Sequence, residues 1–326
     1  MTGFVPISRR FAVLFLLPLG AFAAADPALL QMIPSDAQAV SGLQVMHAKN
    51  SPFGQYLLAQ LPLNDAQLDD FIAQTGFDPR QDVSEIVIAS NSKPNTPNNR
   101  WILAAHGTFN AAKITAAAQA NGGEPATYQG IKLVTHTARK GSELTTAFGF
   151  LDANTALAGD LASVQAAIDR KQSNAPADSA LLNKVQEVSA NNDLWFVTRA
   201  PLSNFAGQIP DPNLSGAMQG NMLAAVNQTS GGVSFGDKVT ISAQAVTRSA
   251  KDAQALVDVV RFFAGLAQLN RQNSPALGQA ATLLDGLETS TSGNTMTLSL
   301  AIPEQQLEQL LNSARPHGRR ASLRIN

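Results

Sequence analysis

Residues 232–247 read Gly-Val-Ser-Phe-Gly-Asp-Lys-Val-Thr-Ile-Ser-Ala-Gln-Ala-Val-Thr. After the turn chemistry of Gly236-Asp237-Lys238, Val239, Ile241, Ala243 and Ala245 alternate with Thr240, Ser242 and Gln244. A period of two gives a strand one buried and one wet face, the habit of antiparallel sheet. Met296, Leu298, Leu300 and Ile302 alternate in the same way behind a Ser292-Gly293-Asn294 turn. Leu144, Thr146, Phe148 and Phe150 set a similar rhythm earlier in the chain.

Helical periods lie between these strands. Asn110 to Ala120 is alanine-rich, and Leu161 to Lys171 carries Leu161, Val164 and Ile168 on one side. Lys251 to Asn270 is apolar over so wide an arc that it should be nearly enclosed, between a sheet and another helix. Pro303-Glu304 opens a last helix, with Leu307, Leu310 and Leu311 expected to face inward. Hairpins and helices mixed in this way predict an α+β fold, antiparallel sheets with helices packed on one face.

Polar stretches punctuate the chain at 90–99, 171–179 and 209–213. The middle one divides a first α+β repeat, 26–172, from a second, 180–314. At an offset of 152, Ala28-Leu29-Leu30 matches Ala180-Leu181-Leu182, and Val45, Ala48, Ser51 and Phe53 match Val197, Ala200, Ser203 and Phe205. Those seven identities in 27 positions exceed the roughly two expected by chance. Each half reads as helix turn, strand, helical segment, hairpin, helix, hairpin, helix.

The first 25 residues read as an export signal. Arg9 and Arg10 supply a positive n-region, Phe11 to Leu19 an apolar h-region, and Ala21-Phe22-Ala23 a small-x-small cleavage signature. Cleavage is expected after Ala23 or after Ala25, because 15 uncharged residues fall short of the ~20 needed to span a bilayer. The protein is therefore expected to be periplasmic or secreted, with no transmembrane segment once the signal is removed.

Charge tells a related story. The chain of 326 residues holds 23 basic and 24 acidic side chains, 14% in all, and a net charge of -1. Two arginines sit in the leader. Four more (Arg315, Arg319, Arg320 and Arg324) sit in the last twelve residues, so 26–314 carries 17 basic against 24 acidic groups, or -7. That balance excludes a nucleic-acid binder. The basic tail, 315–326, is expected to be disordered, with weak envelope contact as its one interaction. The absence of cysteine excludes disulfides, thiolate metal sites, cysteine nucleophiles and a lipid anchor on cysteine.

Candidate chemistry is sparse. Gly232-Val-Ser-Phe-Gly236 fits the G-x-S-x-G pattern of a hydrolase elbow, with Asp285 and His317 following in triad order. The elbow requires strand, tight turn, then helix, whereas here a second strand follows. Ser90-Asn-Ser-Lys93 matches S-x-x-K, but Pro94 and Pro97 oppose the helix that would bring Ser and Lys together. Asp211 to Gly216 resembles half a calcium loop, with Met222 where the bidentate carboxylate belongs. His47, His106, His136 and His317 form no ligand motif; His106 and His136 are the one pair a sheet could bring together. Glu85, Asp69 and Asp70 read as surface acids. With no P-loop and no G-x-G-x-x-G, no cofactor is expected, and no catalytic, cofactor or metal residue is assigned.

Met32-Ile-Pro-Ser-Asp-Ala37, followed by Ser51-Pro-Phe-Gly-Gln-Tyr-Leu-Leu-Ala-Gln60, resembles exported bacterial proteins of unknown function. Those begin with a signal peptide and an IPxDA turn into a strand. The resemblance covers about thirty residues and implies a bacterial extracytoplasmic protein, with no functional residues to carry over.

The expected function is non-catalytic binding of an unknown ligand in a groove between the halves, with Trp101, Trp195 and the hairpin edges as contacts. The alternatives are a serine hydrolase using Ser234 and an envelope-associated structural protein.

Overall fold

The period-two segments pair into one continuous antiparallel sheet. The computed structural model describes residues 24–60, 66–91, 100–137, 145–173, 178–199, 223–269, 271 and 275–313. Among them are twelve strands: β1 (Ala39–Gln44), β2 (Val83–Ser90), β3 (Trp101–Gly107), β4 (Glu124–Tyr128), β5 (Ile131–Thr137), β6 (Thr145–Phe150), β7 (Thr155–Asp160), β8 (Leu194–Thr198), β9 (Val226–Phe235), β10 (Lys238–Thr247), β11 (Leu287–Ser292) and β12 (Thr295–Pro303). The helices are α1 (Pro27–Leu30), α2 (Val45–Asn50), α3 (Pro52–Gln60), α4 (Ala66–Thr75), α5 (Pro79–Asp82), α6 (Ala111–Ala120), α7 (Leu161–Ser173), α8 (Ser179–Ser189), α9 (Ala250–Leu269), α10 (Pro275–Leu284) and α11 (Glu304–Ser313). The α+β class expected from the pattern is the one found.

Strand order across the sheet is β11-β12-β10-β9-β8-β1-β2-β3-β7-β6-β5-β4. Outward from the β1–β8 seam, one side runs β1-β2-β3-β7-β6 and the other β8-β9-β10-β12-β11, the same sequence of hairpins. The first side adds a further hairpin, β4–β5, closed through Gln129 and Gly130, whose φ values of 49° and 80° are those of a type I′ turn. Helices that open each half are capped alike: Asp26 Oδ1 accepts the Ala28 N–H at 2.7 Å, and Asp178 Oδ1 accepts the Leu181 N–H at 2.9 Å. Those two aspartates lie at the 152 offset, and so do the alanine-leucine-leucine triplets after them. Beyond the helices the offset fails. Val45 heads α2 whereas Val197 lies in β8, because α8 is longer than α1; Ala200, Ser203 and Phe205 fall outside the described residues.

The main core lies on one face of the sheet. Leu29 and Leu30 of α1, Val164, Ala167 and Ile168 of α7, and Leu181, Val185 and Val188 of α8 pack over Val40, Val87, Ile102, Leu157 and Val197. Ala25 belongs to this core, 1% exposed, and its N–H donates to Ser189 Oγ at 3.0 Å. On the other face α9 packs Ala253, Leu256 and Val257 against Ala245 and Met296. Phe53 of α3 meets Phe235 and Val239, and Leu307 of α11 joins them. The long helix is less enclosed than its composition suggests: Phe262 is 61% and Leu269 81% exposed, while the residues buried against the sheet, Ala253, Leu256 and Val257, lie in its first half.

The seam itself is tightly specified. Val40 pairs with Val197 and Gly42 with Trp195. Trp195 is fully buried, with its indole laid across the glycine. A Cβ on residue 42 would stand 2.3 Å from Trp195 Cζ2 and 3.0 Å from the Ile86 carbonyl oxygen. Neither neighbour can retreat, since one is enclosed and the other is backbone. Gly42→Ala should therefore lower stability by about 3 kcal/mol. Urea unfolding checks this: the midpoint is expected to fall with the slope unchanged.

Candidate functional site

On the face opposite the main core, the seam carries a shallow apolar groove. Register places Ile88 of β2, Ala39 and Ser41 of β1, Phe196 and Thr198 of β8, and Thr229 of β9 on that face. They enclose a cavity of about 330 Å³. Ile88 and Phe196 stay 40% and 41% exposed, although both are large and apolar. Strand β8 supplies this surface because Leu194-Trp-Phe-Val-Thr198 is apolar at successive positions. Trp195 and Val197 fill the core, so Leu194 and Phe196 must point the other way. Among the described residues no ionisable side chain lines the groove. Thr229 is buried, and its Oγ1 has no hydrogen-bond partner among the described residues.

A second cavity, of about 420 Å³, lies under α6 on the same face of the sheet, lined by Trp101, Asn121, Val134, His136 and Phe148 among others. Of the two tryptophans expected to contact a ligand, Trp101 is at this cavity. Trp195 is core, on the far side of the sheet from the groove.

The histidines are not brought together. His106 in β3 projects to the main-core face, where its Nδ1 lies 3.0 Å from Asp26 Oδ2. His136 in β5 projects to the other face, with β7 and β6 between the two strands. His47 pairs through Nδ1 with Asp193, which is 1% exposed. Asp193 Oδ2 also accepts the Phe235 N–H, at 2.6 Å. Among the described residues no group of three or more histidine, aspartate or glutamate side chains could hold a metal ion.

Ser234 is the penultimate residue of β9, opposite Thr240 in a hairpin, and β10 follows directly. Strand rather than helix after the motif removes the oxyanion geometry of an elbow. Asp285 accepts a hydrogen bond from Gln268 at 3.1 Å. His317, Ser92, Lys93, the 211–222 loop and the arginines of the tail lie outside the described residues. Asp69 and Asp70 are exposed on α4, as expected.

Glu85 is a correction. It sits on the main-core face of β2, 7% exposed, where it accepts the Asp26 N–H at 3.1 Å and stands opposite His106. The sequence did carry a signal: residue 85 shares its face with Val83, Val87 and Ala89, an apolar period that makes it an inward position. Ile88, Phe196 and Thr229 were also missed as site residues, since a groove made of adjacent strands leaves no local motif.

No protein-family model matches the chain, and no curated protein sequence matches it. Among solved structures, crystal form III of TP0453 resembles it with a TM-score of 0.51 at 10% identity, covering 87% of this chain and 97% of that one. Crystal form I of TP0453 gives a TM-score of 0.48 at 12% identity, covering 90% and 98%. Likeness at such identity concerns the fold alone.

Burial lifts the Glu85 pKa above its ordinary value of 4.5; the Asp26 carboxylate adds to the lift, while the Asp26 N–H and the Gln44 side chain oppose it. The folded state then holds this proton more tightly than the unfolded chain does. Stability falls as pH rises from 4.5 through the folded pKa, and the loss is complete above it. Glu85→Gln should raise the melting temperature at pH 7.5 and flatten its decline above pH 4.5, as calorimetry across that range would show.

Proposed function

We propose that this protein is an extracytoplasmic, non-catalytic binding protein whose ligand occupies the groove on the β1–β8 seam. The observation that carries the reading is an open, uncharged apolar depression where the two halves meet. Exposed Ile88 and Phe196 keep apolar area in contact with water, at a cost of about 25 cal/mol per Å² that a bound apolar molecule would relieve. Its size is that of a small-molecule site, and clefts between structural halves are common places for one. The place of Ser234 within a hairpin favours binding over hydrolysis by that serine.

Export is part of the same proposal and rests on the leader. Of the two cleavage points, the one after Ala23 keeps Ala25, whose methyl group is in the core and whose N–H bonds Ser189. The intact mass of the mature chain should therefore correspond to a start at Ala24.

Native mass spectrometry of the protein purified from its own host tests the binding reading. A small non-covalent adduct is expected on the wild type and should be lost from Phe196→Asp, which puts a charge in the groove. A wild-type chain free of any adduct under gentle conditions, and unable to retain added apolar compounds, would count against the proposal.

A further inference from the structure

The groove contains one polar group that the fold leaves unsatisfied. Thr229 is 8% exposed, stands on the groove side of β9 in register with Thr198 and Ala245, and its Oγ1 has no partner among the described residues. Buried hydroxyls nearly always find one, so an orphan at the wall of an open apolar groove points to a partner that arrives from outside. The groove's other features narrow that partner. It crosses four strands, β2-β1-β8-β9, at ~4.8 Å spacing, which gives a run of roughly 14 Å. Among the described residues no ionisable side chain lines it, so a charged group would lose its hydration with nothing there to replace it.

Building on the binding reading above, we infer that the groove takes a neutral, elongated apolar molecule whose alcohol or carbonyl oxygen hydrogen-bonds Thr229 Oγ1. Thr229 is then the residue that sets specificity. Apolar contact with Ile88 and Phe196 supplies affinity, and the hydroxyl discriminates between a ligand with a polar end and a plain hydrocarbon.

The test uses diphenylhexatriene, a fluorescent hydrocarbon with no hydrogen-bonding atom, displaced by dodecan-1-ol or by dodecanoate at pH 8. Wild-type protein should bind the probe, and the alcohol should displace it at least tenfold more effectively than the carboxylate. Thr229→Val keeps the shape and removes the hydroxyl. It should bind the probe at least as well, while the alcohol weakens by about five- to tenfold, the size of one hydrogen bond. Ile88→Glu should lose the probe. If the wild type binds neither probe nor alcohol, the binding reading fails and this inference goes with it. If the probe binds and Ile88→Glu loses it, but the alcohol displaces it equally from wild type and Thr229→Val, the groove is a binding site and the role of Thr229 is overturned. Equal displacement by alcohol and carboxylate overturns the neutrality of the ligand.

Discussion

Five residue pairs between β1 and β8 make one sheet out of two sets of hairpins, and most of the structure depends on them. The pairing is anchored on both sides of the backbone plane. On the core side, Gly42 leaves the space that Trp195 fills, and burying an indole there is worth about 3 kcal/mol. At one end, Asp193, just before β8, ties three other elements to it. Its carbonyl oxygen accepts the Gln44 N–H of β1, its N–H donates to the Val233 carbonyl of β9, and its carboxylate holds His47 of α2 and the Phe235 N–H. A buried carboxylate is tolerated only when so fully engaged, and the arrangement fixes where β8 begins.

The groove follows from the same pairing. A strand whose inward residues are Trp195 and Val197 and whose outward residues are Leu194 and Phe196 is apolar on both faces, so both faces want cover. Helices α1, α7 and α8 provide it on one side. On the other, α9 and α3 reach strands farther along the sheet and leave Phe196 and Ile88 open. The opposite face of β10 and β12 is different: Thr240, Ser242, Gln244, Thr297 and Ser299 make a polar surface, on which Ser242 Oγ donates to Asn192 Oδ1 and Gln244 Oε1 accepts from Lys184 Nζ.

The two kinds of structure were not equally legible in the sequence. Strands β6, β10 and β12 and helices α6 and α7 announce themselves because alternation and helical period are local properties of a dozen residues. The seam does not, since pairing Val40 with Val197 joins positions far apart and turns on packing rather than pattern. The same limit explains why the offset of 152 held at the aspartate caps and failed at Val45: an added length of helix in α8 shifts the frame without disturbing the order of elements. Glu85 and Trp195 were each misread by treating residue type as location, a glutamate as surface and a tryptophan as contact, when the alternation around them already placed both inside. The groove residues Ile88, Phe196 and Thr229 come from three strands and form a site only once the sheet is assembled.

The central claim is that the β1–β8 seam is the structural spine, formed together with the rest and lost only with it. Native-state hydrogen exchange read by mass spectrometry addresses this directly. Amides of 39–44 and 194–198 should exchange only through global unfolding, as slowly as any in the protein and slower than the edge strands β4 and β11. Seam amides that exchange as fast as those edges, while β2, β3, β9 and β10 stay protected, would show two independently folded halves in loose contact and contradict the account.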